Sequence, residues 1–126
     1  QIFAMPKDLG TRVTLYDAAG RVNRLNSAKS LGHDDWQVPS LETLRVLYKN
    51  RNEGLLKDTF NTSSEKENNP TDVVFSAYHW SSTVYKGSWS YVYVVNFRDG
   101  REHDHSSEEN LFFSCRPVRL VPLPGR

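Results

Sequence analysis

A chain of 126 residues, 37% hydrophobic and 25% charged, holds one domain with one core and is too short for two. Its 16 basic and 15 acidic residues nearly cancel, which excludes a nucleic-acid binder that relies on a general excess of Lys and Arg. The single cysteine excludes an intrachain disulfide, and no apolar run approaches the ~20 residues of a membrane-spanning helix, so membrane insertion is not expected.

The mean hydropathy is low, −0.63. Three Trp, six Tyr and six Phe offset it, because each buries a large area. No charged-then-apolar leader opens the chain. It starts abruptly at Gln1, as expected of the C-terminal part of a longer protein, and the whole of 1–126 reads as one domain.

Short apolar stretches broken by Pro6 and Gly10 come first, with Val13, Leu15 and Tyr16 as a short strand. Asp17 to Leu31 follows a helical period: Ala18, Val22, Leu25 and Ala28 fall three or four apart, and Gly32 ends the run. Residues 32–40 form a loop that carries Trp36. Ser40 is placed to cap a second helix, with Glu42 in its first turn and Leu41, Leu44, Leu47 and Tyr48 on its apolar face. Asn50 to Gly54 stops that helix. Residues 61–72 lack any large apolar side chain and read as an exposed loop.

After Asp72 the pattern turns to strands. Tyr78 to Tyr85 is one. Trp89, Tyr91, Tyr93, Val95 and Phe97 alternate with smaller residues in a second, and Asp99-Gly100 signals a turn. Residues 101–110 are polar throughout and read as a loop between strands. Leu111 to Val121 reads as the last strand, with Pro117 expected at an edge or a bulge because it lacks an N–H. Helices first and antiparallel strands later make an α+β domain.

Three motifs stand in order: Asp35-Trp36-Gln37-Val38-Pro39 leading into a helix, Tyr78-His79-Trp80-Ser81-Ser82-Thr83, and Cys115-Arg116-Pro117-Val118-Arg119. Phe97-Arg98-Asp99-Gly100 adds a hairpin. Together, over roughly residues 23–121, they resemble the C-type-lectin-like domain that ends the Legionella collagen-like adhesin and related bacterial and phage surface proteins. Gln37 stands where that pattern usually has Arg, and Pro117 interrupts its closing strand. The resemblance implies a C-type-lectin-like fold shared with formylglycine-generating enzymes, with two helices on a twisted antiparallel sheet. It implies a non-catalytic recognition domain, located outside the cell on a bacterial surface or a virion. The partner is a glycan or protein receptor on another cell. Several relatives are variable proteins of diversity-generating retroelements, which implies a stable scaffold with a changeable ligand face. An alternative is an assembly module that caps a fibre or a homotrimer.

Trp36 and Trp80 read as core anchors. The candidate ligand residues are Tyr85, Ser88 and Trp89 beside the strand of aromatics, and Arg98, Arg101, His103, Asp104, His105, Ser107 and Asn110 around the polar stretch. Aromatic rings stack on sugar faces, and the polar groups bond hydroxyls or peptide groups; Tyr and Ser also serve antibody loops. The competing reading of the stretch is a solvated loop, and of Trp89 and Tyr91 a buried sheet face. His103-x-His105, with Glu102 or Glu108, resembles part of a metal site but is short of the three or four ligands zinc takes, and no metal or other cofactor is expected. Catalysis lacks its parts: formylglycine-generating enzymes use a cysteine pair, and Cys115 stands alone inside an expected strand, as a small hydrophobe.

Overall fold

The computed structural model describes residues 1–9, 13–62, 73–85, 91–106 and 111–122, without the side chains of 73–75, 105 and 106. The α+β class is borne out: the described residues hold two helices and two sheets. Strand β1 (Ile2–Ala4) pairs antiparallel with β6 (Val118–Leu120), so the first strand lies on the last. Strands β2 (Val73–Val84), β3 (Tyr91–Asn96), β4 (Glu102–Ser106) and β5 (Leu111–Ser114) form the larger sheet in the order β4-β3-β2-β5. Its pairs are antiparallel except β2–β5, which is parallel, so the sheet is mixed.

Helix α1 (Leu15–Ser27) starts two residues earlier than its period suggests, because Thr14 accepts a hydrogen bond from the Asp17 N–H at 3.1 Å and caps it. The expected strand around Val13 is therefore reduced to one bridge, Val13 to Phe113. The helix also stops at Ser27, short of Leu31. Lys29 and Leu31 adopt φ of 49° and 55°, which no right-handed helix contains. Helix α2 (Leu41–Lys49) is capped as read: the Ser40 hydroxyl accepts the Thr43 N–H at 3.1 Å.

Alternation along β3 divides the core. Val92 and Val94 face a cluster with Trp80, Phe113, Cys115, Val13 and Ala18 of α1. Val95, with Phe97 just beyond β3, faces Leu41, Leu44 and Leu47 of α2, and Val118. Trp36 joins Met5 and Val22 in a third cluster.

Two expectations about the late strands are corrected. The polar stretch is not a loop throughout: residues 102–106 pair with β3 over five positions, from Glu102 opposite Val95 to Ser106 opposite Tyr91. Charged side chains do not prevent pairing on an outer strand and suit one that meets solvent. The closing strand is not continuous either. It breaks at Cys115–Pro117, where the chain leaves β2 and crosses to β1. In the break, carbonyls carry the pairing: Cys115 O accepts from Leu9 N at 2.8 Å and Pro117 O from Met5 N at 2.9 Å. Pro117 sits where only an acceptor is required.

Candidate functional site

The shared motifs turn out to be joints of the scaffold. The Asn26 amide brackets Trp36, accepting its N–H at 2.7 Å and donating to its carbonyl at 2.9 Å, while the indole N–H donates to Ser30 O at 2.9 Å. Asp35 forms a two-pronged ion pair with Arg119, which ties the first motif to the last. Gln37 exchanges two backbone hydrogen bonds with Val118, at 2.9 and 3.0 Å. This pairing uses no side chain. The Trp80 indole donates to Val13 O at 2.8 Å. Thr83 Oγ1 accepts the Leu41 N–H at 2.9 Å, so the second motif caps the helix that the first motif opens.

Beneath them lies a buried polar network. The Asp8 carboxylate accepts from Arg116 Nε at 2.8 Å and from the Asn61 N–H at 2.8 Å, and it lies 3.0 Å from His79 Nε2. His79 Nδ1 is 2.8 Å from Ala77 O, so each ring nitrogen faces an oxygen. Arg116 also donates to Met5 O, Thr59 O and Thr59 Oγ1 at 3.0, 2.6 and 3.2 Å. The Asn61 amide donates to Ser114 Oγ, which donates to Ser76 O. Burial raises the Asp8 carboxyl's pKa, but His79 and Arg116, with the Asn61 N–H, outweigh it and hold the group below its ordinary value. Burial also lowers the Arg116 guanidinium's pKa, against the pull of Asp8. The Cys115 thiol is pushed up to about 12 by burial, with the Asp8 charge adding and Arg116 opposing. It is therefore protonated at neutral pH and has no solvent access, the opposite of a nucleophile.

Those of the expected ligand residues that are described do not form one patch. Tyr85 follows β2 at the start of β3, where its N–H donates to Tyr91 O at 2.7 Å and its ring lies 5.6 Å from that of Tyr93. Asp104 is exposed and stands opposite Tyr93 in the ladder, so Tyr85, Tyr93 and Asp104 form one neighbourhood, edged by Tyr91 at 40% exposure. Tyr91 is thus no part of a buried face. Arg98 and Arg101 flank the turn at the other end of β3. Five residues of strand separate the two ends, about 17 Å at the rise of a β-strand. Arg98 is exposed, its N–H donating to Asn96 Oδ1 at 2.8 Å; the Arg101 side chain is 77% exposed and 3.8 Å from Asp99.

His103 is opposite Val94, on the other face of the sheet from Asp104, and the His105 backbone pairs with Val92. The His103 ring is half-buried, 5.5 Å from that of Tyr78. The His105 side chain lies outside the described residues, as do Ser88, Trp89, Ser107 and Asn110. Glu102 does not join the histidines. It alternates to the opposite face, where Arg45 of α2 binds both its oxygens at 2.6 and 2.7 Å. Among the described residues no three His, Cys, Asp or Glu groups converge as a metal site would require.

Asp8, Thr59, Asn61 and the deep roles of His79 and Arg116 were missed by sequence reasoning. Two signals existed: a histidine between Tyr78 and Trp80 in a strand, and an arginine inside the apolar run from Leu111 to Val118. Charge inside such a run needs a buried partner.

Residues 5–119 match the family described as the Lcl C-terminal domain. No curated protein matches the chain.

Proposed function

The chain belongs to the Lcl C-terminal domain family, a family of adhesin-like domains, and on that premise we propose a non-catalytic recognition domain of a bacterial surface or phage protein. Its ligand is a glycan or protein receptor on another cell, and its fold is read as C-type-lectin-like. One observation carries this reading. The motif residues are consumed by caps, brackets and ion pairs inside the scaffold. Tyr85, Arg98, Arg101 and Asp104, by contrast, project from it without any part in the core. A scaffold whose motif residues hold its shape while other polar and aromatic residues stand at its surface suits recognition. The buried, protonated Cys115 supports the absence of thiol catalysis.

The test is binding of the domain to a glycan panel and to bacterial and animal cells, with and without EDTA. A variant with Tyr85, Arg98, Arg101, His103 and Asp104 changed to Ala is run beside it. Binding lost in a variant that still melts like the parent supports the placement. EDTA sensitivity of the parent assigns a metal to the face. Equal binding by both proteins overturns the placement, and a trimer in solution that binds nothing favours the assembly module instead.

A further inference from the structure

Three tyrosines share one face of the larger sheet where β2 ends and β3 begins. Tyr91 and Tyr93 stand two apart on β3, so their side chains leave the same face. The Tyr85 ring lies 5.6 Å from the Tyr93 ring, which puts it on that face too. Tyr85 and Tyr91 are 37% and 40% exposed, so these rings meet solvent, unlike the aromatic residues of the core. Asp104 is exposed and stands opposite Tyr93 in the ladder. Directly opposed residues hold their Cβ atoms about 5 Å apart, so its carboxylate borders the rings. Among the described residues it pairs with no cation. The neighbouring guanidinium, Arg45, is spent on Glu102, which binds it through both oxygens. Glu42, three residues before Arg45 on α2, adds further negative charge. In sequence, the connections 86–90 and 107–110 from this end of the sheet hold one lysine and two glutamates, and so bring no net positive charge.

We propose that this face takes an arginine side chain of a protein receptor. The negative faces of aromatic rings attract a cation, and so does the Asp104 carboxylate beside them. A neutral sugar would leave that charge unused. Among organic cations, guanidinium suits both parts. It is flat and lies on a ring, and its fork of N–H groups meets both oxygens of a carboxylate at once. A lysine ammonium is a compact, strongly hydrated point charge, and a quaternary ammonium has no N–H to offer. The chain makes each half of this contact within itself. Arg51 Cζ lies 3.9 Å from the Tyr48 ring centroid, and Arg45 forks onto Glu102 at 2.6 and 2.7 Å. The assignment rests on the reading of the domain as a receptor binder, and it selects a protein receptor over a glycan.

The experiment titrates the isotope-labelled chain with capped peptides that carry a central arginine, lysine or citrulline between glycines, and with choline and glucose, following amide NMR signals. The arginine peptide is expected to shift Tyr85, Tyr91, Tyr93 and Asp104 and to saturate at roughly ten millimolar, about what one charge-assisted pair and one ring contact supply together. Citrulline keeps the shape without the charge and is expected to bind roughly ten-fold more weakly or less. Added salt should weaken the arginine peptide, since the pair is exposed. Asp104→Asn and Tyr85→Ala are each expected to weaken it roughly five- to ten-fold, with amide signals away from the patch unmoved. No saturable shift with the arginine peptide overturns the proposal. So does equal binding of the citrulline peptide, tighter binding of the lysine peptide, choline or glucose, or a shift that either variant leaves intact. Cell or glycan binding that persists in both variants, with no arginine response, sinks the platform and leaves the recognition reading standing. Arginine binding here by a protein that binds no cell upholds the platform and removes the recognition reading.

Discussion

Asp8 is the single acid among the first sixteen residues, and its side chain ends 2% exposed against Arg116 and His79. A lone carboxylate that neutralises a buried guanidinium is hard to replace. Asp8→Asn keeps the size and removes the charge, leaving Arg116 uncompensated, so a loss of about 3–5 kcal/mol is expected in urea unfolding. The pH dependence has a definite sign. The folded carboxyl is held below its ordinary 3.8. Its contribution is therefore complete above that value, and it is lost as pH falls through the lower, folded-state value. The midpoint of urea unfolding should drop more steeply below about pH 4 in the parent than in Asp8→Asn. Cys115 gives a second check at this scale. Its thiol, fully buried and raised to about 12, is expected to react with a disulfide reagent only as fast as the domain opens. Fast labelling of the folded protein would contradict its place in the core. The buried Cys was legible from its apolar neighbours. The Asp8–Arg116 pair was not, since 108 positions separate the two and neither has a local pattern that names the other.

At the scale of elements, the joint between α2 and β2 is set by two hydroxyls. Ser40 bonds the Thr43 N–H and Thr83 bonds the Leu41 N–H, so two of the helix's free amides are satisfied from different parts of the chain. Ser40→Ala and Thr83→Val are each expected to cost about 1 kcal/mol, with the pair departing from additivity because both act on one helix end. Gly100 fixes the turn after β3 for two independent reasons. Its φ is +79°, and a Cβ there would stand 2.6 Å from the Tyr48 ring, which is packed edge-on to Phe97 and covered by Arg51. Gly100→Ala is expected to destabilise by roughly 2–4 kcal/mol from backbone strain and overpacking combined. Ser40 and Gly100 were readable because caps and turns are local chemistry. β4 was not, because its pairing is decided by the neighbour β3 while its own residues are polar; nor was the break at Pro117, which depends on β1 arriving to accept the crossing chain.

For the whole molecule, a set of long-range bonds joins the N-terminal part of the chain to its C-terminal part. β1 lies on β6, Asp8 reaches Arg116, and Asp35 reaches Arg119, so the ends close the domain while β3 and β4 carry the outer residues. This geometry makes a ligand's footprint measurable. Tyr85 and Asp104 sit by the start of β3, and Arg98 and Arg101 sit past its end, about 17 Å away by strand rise. Groups that far apart act nearly independently, and their effects on binding free energy add to within about 0.5 kcal/mol. A ligand that spans β3 should therefore lose affinity with Tyr85→Ala plus Asp104→Ala and again with Arg98→Ala plus Arg101→Ala, the fourfold variant showing the product of the two fold-changes. A ligand confined to one end should respond to one pair alone. None of the four side chains is buried, so thermal melting should move by no more than a few degrees in any variant, in contrast with Asp8→Asn. If the outer variants melt as early as the core variant, the separation of scaffold from recognition face fails, because those residues would then be holding the fold.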